Sequence, residues 1–293
     1  AAAQQPGNDV QKLLGDFWAS GLDEAAVEAD GSHPIAPLLA RINAMGRNRD
    51  LPATIAALHQ VGIPAVFNFS ADVDLKALDR HIGYFMQGGT GLADPAFYTR
   101  SDADIAAVRS RYRDYIKQIL ALTGTPAARL EAESAAVLAV ETALASGSQA
   151  LGNLSNPFNN YAPVPVAGLD RQYRNLRLGD FLKAQGVSDD TVSLAEPALF
   201  ANIDRLVKDR PLADWKAYLR WRVGDAMAPY LSNAYRTAEF EFRGRLVRGQ
   251  SVAPPRWEQV LDAINVAAGP MLGREYTALH LTGADRRQAG LII

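Results

Sequence analysis

The chain has 293 residues, a formal net charge of −2 and no cysteine, and these facts exclude several classes of protein. Without cysteine there can be no disulfide framework, thiolate metal site or cysteine nucleophile. The near balance of charge gives no electrostatic reason to expect a nucleic acid or an anionic membrane as a partner. Apolar residues make up 48% of the sequence, which is enough for a sizeable core in one large domain or two smaller ones.

Apolar residues recur mostly at spacings of three and four, which predicts a mainly α, multi-helix protein. Helices are predicted at residues 10–29, 35–44, 51–60, 102–122, 126–145, 180–185, 197–208, 212–240 and 255–279. No run of about 18 or more apolar residues is present, so no membrane-spanning helix is expected.

One small β-hairpin element is predicted near residues 65–87. Residues 65–70 and 81–86 alternate apolar and polar side chains and contain aromatic and branched residues, a pattern typical of short strands. The polar link between them, residues 71–80, is long for a tight turn. Residues 193–197 are a further short extended candidate. The segment 147–168 is rich in Asn, Pro, Gly and Ser, and we expect a possible lobe boundary there.

The histidines do not form a recognisable metal motif. None of His33, His59, His81 and His280 belongs to an H-E-x-x-H sequence, and no two are separated by four positions. Surface or hydrogen-bonded core positions are therefore expected for all of them, and no metal ligand, catalytic residue or cofactor-binding residue is nominated.

Three further patterns have a chemical and a structural interpretation. Glu131, Glu133 and Glu141 could be paired carboxylates for acid–base work, but a solvated helix face with one buried glutamate is favoured. The segment 87–91, Gln-Gly-Gly-Thr-Gly, lacks the spacing of a nucleotide loop, and positive φ angles explain its glycines. The aromatic and arginine residues 215–222 could stack on bases. Their helical spacing instead favours a packed face with snorkelling arginines.

Several short motifs follow one another in a fixed order: Gln87-Gly88-Gly89-Thr90-Gly91-Leu92, then Trp215-Lys216-x-Tyr218-Leu219-x-Trp221, then Ala238-x-Phe240-x-Phe242-x-Gly244, then Pro255-Arg256-Trp257 and Leu272-Gly273-x-x-Tyr276. Their order and spacing resemble the N-terminal region of the neprilysin-type zinc metallopeptidases, from about Leu13 to the end of the chain. In the resemblance, Thr90 and Ala93 depart from the family's loop, which has Leu and Pro there. The residues that carry the signature are expected to be structural: Gln87, Gly88, Gly89, Gly91, Trp215, Tyr218, Trp221, Phe240, Phe242, Arg256, Trp257 and Tyr276. Among them, Trp215, Trp221, Phe240, Phe242 and Trp257 are expected to pack in the core.

The resemblance implies a function that depends on a second half. In this family the zinc ligands and general base come from H-E-x-x-H and a later Glu, and neither H-E-x-x-H nor another zinc motif occurs in these 293 residues. Zinc is thus implied for a catalytic domain that this chain lacks, and residues 1–293 resemble the helical lid that faces it and gates peptide substrates. Residues 284–289 resemble the start of the crossing to that domain.

The same resemblance implies a bacterial, periplasmic or secreted protein, a fragment or truncated form that is inactive as a peptidase by itself. The alternative from another class is a self-sufficient α-helical module, derived from such a lid, that binds a peptide or a protein.

Overall fold

The computed structural model describes residues 5–281 together with 283, 285 and 288. The predicted mainly α fold with a small β element is confirmed. The helices are α1 (Asp9–Leu22), α2 (Glu24–Asp30), α3 (Ala36–Ala44), α4 (Leu51–Gln60), α5 (Ala96–Thr99), α6 (Ala103–Leu122), α7 (Leu130–Ala145), α8 (Leu151–Leu154), α9 (Leu169–Gln172), α10 (Leu178–Ala184), α11 (Pro197–Asp209), α12 (Leu212–Met227), α13 (Asn233–Glu239) and α14 (Arg256–His280). The strands are β1 (Phe67–Asp74), β2 (Ala77–Gln87), β3 (Pro163–Pro165) and β4 (Thr191–Leu194).

The chain divides into two units by its internal contacts. The first unit consists of Ala1–Gly31 and Pro229–Ile293, and the second unit is Ser32–Ala228. The irregular segment 147–168 lies inside the second unit, where its strand β3 pairs with β4.

The second unit is built around α12, which packs against α3, α6 and α7. Trp215, Tyr218, Leu219 and Trp221 on this helix are completely buried. Because their side chains point to several sides of α12, the helix is surrounded rather than laid on a surface. It therefore supplies the centre of the core in this unit.

The four strands of the second unit form one sheet in the order β1-β2-β4-β3. β1 and β2 are antiparallel, β2 and β4 are parallel, and β4 and β3 are antiparallel. Phe67 and Phe85 of the hairpin pack with Phe181 of α10 and Phe200 of α11, with ring centroids 5.0 to 5.8 Å apart. This aromatic cluster joins one face of the sheet to the helices.

The hairpin is longer than its apolar pattern indicates. The expectation of a long polar link at 71–80 is wrong, because β1 and β2 stay paired until Val73 lies opposite His81 and, after an irregularity at residues 78–80, Asp74 lies opposite Ala77. Only Leu75 and Lys76 remain for the turn, and Oδ1 of Asp74 accepts a hydrogen bond from the amide of Lys76 at 3.0 Å. Backbone pairing holds these polar residues in strands although most of them are exposed.

The first unit is held together by α1 and α14. Leu14, Val260 and Ile264 form a buried apolar cluster between the two helices, and Phe17 and Trp18 pack against them half-buried. A Cβ on Gly21 would lie 2.6 Å from Val260, so the absence of a side chain there lets the two helices approach closely.

Two of the long predicted helices are interrupted. Residues 10–29 form two helices, because the side chain of Asp23 accepts from the amide of Ala26 and begins α2. Residues 212–240 are divided by a short 3-10 turn at Ala228–Tyr230, and a π-helix at Phe240–Val247 follows α13. Pro229 has no N–H for an α-helical bond, which fits the break.

The last long helix, α14, is kinked. Ala268 has φ −142° and ψ 27°, and Pro270 lies inside the helix. A proline ring at this position clashes with the carbonyl four residues earlier, which is enough to bend the helix. Most of residues 284–289, which resemble a crossing to another domain, lie outside the described residues.

Candidate functional site

The glycine-rich loop 87–92 follows β2 and is fixed at its start by Gln87. The amide of Gln87 donates to Oε2 of Glu196 at 3.0 Å. Its side chain forms a pair of hydrogen bonds with the backbone of Gln149, at 3.0 Å to the carbonyl and 2.7 Å from the amide. This buried glutamine thus ties the end of β2 to the chain after α7 and to the start of α11.

The three glycines of the loop are required by close approach. A Cβ on Gly88 would lie 2.5 Å from Cγ of Asn68, and one on Gly89 would lie 2.5 Å from the amide nitrogen of Val66. A Cβ on Gly91 would lie 2.0 Å from the hydroxyl oxygen of Tyr112. Of these three glycines only Gly89 has the expected positive φ, at 79°, so that expectation is wrong for Gly88 and Gly91. The loop therefore lies flush against its neighbours and leaves no space for a phosphate between them.

Tyr218 of α12 joins this loop to the start of the hairpin. Its hydroxyl donates to the carbonyl of Gly89 at 2.6 Å and accepts from the amide of Val66 at 2.8 Å. Val66 has φ 72°, a left-handed conformation that is strained for a β-branched residue. Two hydrogen bonds to one completely buried hydroxyl thus hold a strained segment in place.

The centre of the site is Glu141 on α7, a completely buried carboxylate. Oε1 accepts from the amide of Gly91 at 3.2 Å and from Nε1 of Trp221 at 3.0 Å. Oε2 accepts from the hydroxyls of Tyr98 at 2.8 Å and Tyr112 at 2.7 Å. The hydroxyl of Tyr98 in turn accepts from the amide of Leu92 at 2.8 Å. The predicted single buried glutamate of this helix is therefore Glu141, and it binds the glycine loop.

Burial raises the pKa of Glu141, while the nearby charge of Arg222 and the hydrogen bonds from the tyrosines and the tryptophan act in the opposite direction. Every hydrogen-bonding group that faces its two oxygens is a donor. Because this carboxylate is enclosed in the core, it cannot reach a substrate atom and cannot act as a general acid or base. It organises the loop.

Arg222 is the exception to the prediction of snorkelling arginines, because it is buried. Its Nη2 donates to the carbonyl of Pro64 at 3.2 Å, and its Nη1 lies 3.6 Å from Oδ2 of Asp225. Asp225 also accepts from the hydroxyl of Tyr115 at 2.8 Å. The guanidinium lies among carboxylates and tyrosines that raise its pKa against the effect of burial. The prediction was wrong because helical spacing identifies a face but not the neighbour that covers it.

The signature residues of the first unit differ in how far they are buried. Phe240 and Phe242 on the π-helix are buried, as predicted. Nε of Arg256 donates to the carbonyl of Gly21 at 2.8 Å and so joins α14 to the end of α1. Trp257 and Tyr276 are 53% and 62% exposed. The core position predicted for Trp257 is wrong, since nothing in the described part of this unit covers its ring.

No group of three or more His, Asp or Glu side chains is placed to hold a metal ion within the described residues. His59 lies against the aromatic cluster with Nε2 3.1 Å from the carbonyl of Ala65, and burial lowers its pKa. His33, His81 and His280 are exposed. The metal-binding side chains of the described residues are thus not arranged to hold a zinc ion.

None of the described helices combines the length and the apolar character that are needed to cross a membrane.

The described residues form a mainly helical fold with a glycine-rich loop bound to a buried carboxylate, and comparison with known proteins identifies the family of the chain. The N-terminal-region model of Peptidase family M13 matches residues 1–293, so the chain belongs to that family. It is 21% identical to human endothelin-converting enzyme-like 1 over 98% of this chain and 39% of that protein. It is 23% identical to the neutral endopeptidase of Lactobacillus helveticus over 72% of this chain and 33% of that protein.

Solved structures agree with this assignment. The inhibitor complex of the zinc metalloprotease Zmp1 of Mycobacterium tuberculosis superposes with a TM-score of 0.90 and 27% identity, over 99% of this chain and 45% of that one. PepO from Lactobacillus rhamnosis HN001 superposes with a TM-score of 0.85 and 16% identity, over 97% and 45%, which shows the shared fold. The chain thus spans less than half of the length of these relatives.

Sequence reasoning missed most of the residues that hold the loop. Nothing in the sequence spacing of Tyr98 and Tyr112 assigned them to Glu141. No sequence pattern indicated that Glu196 accepts a hydrogen bond from the loop. One signal could have been used: Glu141 is the only charged residue in the apolar run 135–145 of α7, and a charge there needs donors nearby.

Proposed function

We propose that this chain is the non-catalytic, substrate-gating half of a neprilysin-like zinc metalloendopeptidase that cleaves peptides. In this arrangement, the zinc and the general base belong to a separate catalytic domain. The present chain faces that domain, encloses the substrate and keeps out molecules too large to enter. Peptidase activity then requires both halves, and the isolated chain is inactive.

The distribution of exposed apolar side chains supports the proposal most directly. Of the sixteen large apolar residues exposed in the described part, twelve belong to the first unit, which is only about a third of the chain. Contiguous exposed apolar groups mark interaction surfaces, and three of the twelve, Leu261, Tyr276 and Leu279, line one groove. The four exceptions in the second unit are Val61, Leu78, Leu151 and Phe158.

A groove on the first unit gives this surface a definite place. It runs between α1 and α14, has a volume of about 470 Å³, and is lined by Trp18, Leu261, Leu272, Tyr276 and Leu279 among others. We assign the catalytic domain as its occupant, because the solved relatives are more than twice as long as this chain. The signature aromatic Tyr276 then has a function that its exposure would otherwise leave unexplained.

Two measurements test the proposal. The 293-residue chain is incubated with an internally quenched fluorogenic peptide and added zinc, with and without a chelator. No turnover is expected, and chelator-sensitive cleavage would refute the assignment of a non-catalytic half. The reading frame downstream of Ile293 is then sequenced. An H-E-x-x-H in frame supports the proposal, whereas a stop codon there would favour the self-sufficient binding module.

Where the frame contains H-E-x-x-H, the catalytic domain is produced separately and mixed with this chain. Tyr276→Glu is expected to weaken association and restored activity, because it places a charge in the groove. Phe158→Glu is the matched control, since Phe158 is 66% exposed but belongs to the second unit. Equal loss in both variants would contradict docking at the groove.

We also propose, on the strength of the family resemblance, that the protein lies outside the cytoplasm, in the periplasm or the medium of a bacterium. Fractionation of the source cells with an antibody against this chain checks that placement. Recovery of the protein with cytoplasmic markers alone would contradict it.

A further inference from the structure

The second unit contains a cavity that the glycine loop and the proposed docking groove do not use. It has a volume of about 620 Å³ and lies between α4, α10 and the end of α11. Its floor is apolar and made mostly of short side chains: Pro52, Ala53, Ala56, Ala57, Phe181, Ala184 and Val207. Short side chains on facing helices leave a trough between the helices, which explains the volume.

The rim of this cavity is strongly basic. Its charged lining residues are five cations and one carboxylate: Arg41, Arg49, Arg174, Arg177, Lys208 and Asp180. All five cations are exposed, so their charged groups are available to a ligand. The chain as a whole has a net charge of −2, so this excess of positive charge is a local property.

The acids near the cavity do not neutralise this rim. Asp180 is paired with Arg177 and also lies 3.6 Å from Nζ of Lys183. Asp204 accepts from the amides of Asn175 and Leu176, at 2.7 and 2.9 Å. In contrast, Arg49 and Lys208 have no ion pair or side-chain hydrogen bond to any described residue. Two unpaired cations therefore remain at one end of an apolar trough.

We propose that this cavity binds an acidic peptide segment, with an aliphatic side chain on the alanine-rich floor and carboxylates on Arg49 and Lys208. The apolar floor argues against a small inorganic anion, which would leave it uncovered. The concave shape argues against a flat lipid surface. Guanidinium and ammonium groups both bind carboxylates, and a mixed apolar and charged ligand satisfies floor and rim together. This site does not depend on the presence of a catalytic domain.

Fluorescence anisotropy with the 293-residue chain tests the site. The probe is a fluorescein-labelled peptide of about eight residues that alternates Glu and Leu, and its partner probe has Gln in place of Glu. The chain is expected to bind the Glu probe more tightly than the Gln probe. The double variant Arg49→Gln/Lys208→Gln should weaken Glu-probe binding by roughly three- to tenfold, since each exposed charge pair contributes a modest amount.

The matched control is Arg111→Gln, because Arg111 is an exposed arginine on α6 without an ion pair or hydrogen bond to a described residue. It should bind the Glu probe as the unchanged chain does. Ala53→Phe fills the floor without changing the charge and should also reduce binding. Circular dichroism and the thermal midpoint confirm that each variant is folded.

Four results would overturn the proposal. Equal losses in Arg111→Gln and in the double variant would mean diffuse attraction to a charged surface. Unchanged binding by Ala53→Phe would remove the floor from the site. Displacement of the Glu probe by inorganic phosphate at low millimolar concentration, or binding to phosphatidylglycerol vesicles in place of the Glu probe, would assign the cations to another ligand.

Discussion

The backbone amide of Gly91 donates a hydrogen bond to Oε1 of Glu141, 50 residues further along the chain, at 3.2 Å. The same glycine has no room for a side chain, because a Cβ would lie 2.0 Å from the hydroxyl oxygen of Tyr112. Tyr112 itself donates to the other oxygen of Glu141. The loop, the helix α6 and the helix α7 are thus joined at one buried carboxylate.

Replacement of Glu141 by alanine is expected to destabilise the chain by about 3 to 5 kcal/mol, because it leaves several buried donors without an acceptor and creates a cavity. Glu141→Gln should be milder, at about 1 to 2 kcal/mol, since the amide keeps the shape and one acceptor oxygen. The NH₂ group of the new glutamine can take the position of Oε2, because the hydroxyls of Tyr98 and Tyr112 can rotate to accept its hydrogen bonds. Urea unfolding followed by circular dichroism measures both variants.

Glu131→Gln is the control on the same helix. Glu131 is exposed and pairs with Lys117 and Arg113, so solvent screens these pairs and its replacement should leave the urea midpoint nearly unchanged. A Glu141→Ala variant as stable as Glu131→Gln would show that the buried network does not hold the loop.

The sequence predicts the helices of this site but not its contacts. α6 and α7 follow from apolar spacing and intrinsic propensity, which are local properties. The donors to Glu141 come from positions 29 to 80 residues away, and no local pattern encodes which of them meet. The same limit explains the other errors: burial of Arg222 and exposure of Trp257 depend on which neighbour covers each side chain. The predicted strands of the hairpin were too short, because backbone pairing can hold exposed polar residues in strands.

Gly89 and Gly62 separate the effect of backbone conformation from that of close packing. Their φ angles are 79° and 76°, but a Cβ on Gly62 would meet nothing within 4 Å, whereas one on Gly89 would meet Val66. Gly62→Ala should therefore lower the free energy of unfolding by about 1 kcal/mol. Gly89→Ala should lower it by about 2 to 4 kcal/mol, because overpacking adds to the same backbone strain. Equal losses in urea unfolding would contradict the close approach of the loop to Val66.

Tyr218→Phe tests the hydroxyl that links Gly89 to Val66. Removal of this oxygen leaves one buried carbonyl and one buried amide without their partner, which should cost about 1 to 3 kcal/mol of stability. Because the amide of Val66 belongs to a strained segment, its hydrogen exchange should also become faster. Tyr230→Phe is the matched control, since Tyr230 is 42% exposed and should change neither quantity. Unchanged exchange at Val66 in Tyr218→Phe would show that the hydroxyl does not hold the segment.

Asp74 at the hairpin turn should make stability depend on pH in acid. The hydroxyl of Tyr161 and the amide of Lys76 donate to its Oδ1, Arg80 pairs with Oδ2, and together they lower its pKa from 3.8 to about 2. A carboxyl whose pKa is lower in the folded state holds fewer protons there than in the unfolded chain. Its contribution is therefore complete above pH 3.8 and is lost as the pH falls through about 2.

The measurable quantity is the difference in urea midpoint between the unchanged chain and Asp74→Asn. This difference should be constant from pH 7 to about pH 5 and should shrink between about pH 4 and pH 2, because Asn has no proton to gain there. Taking a difference removes the acid sensitivity of all other carboxylates. Asp79→Asn is the control, since Asp79 is exposed on the same hairpin without an ion pair to a described residue, and its replacement should change the urea midpoint little. A difference for Asp74→Asn that does not change with pH would mean that the turn is stabilised by packing and neutral hydrogen bonds rather than by the ionised carboxylate.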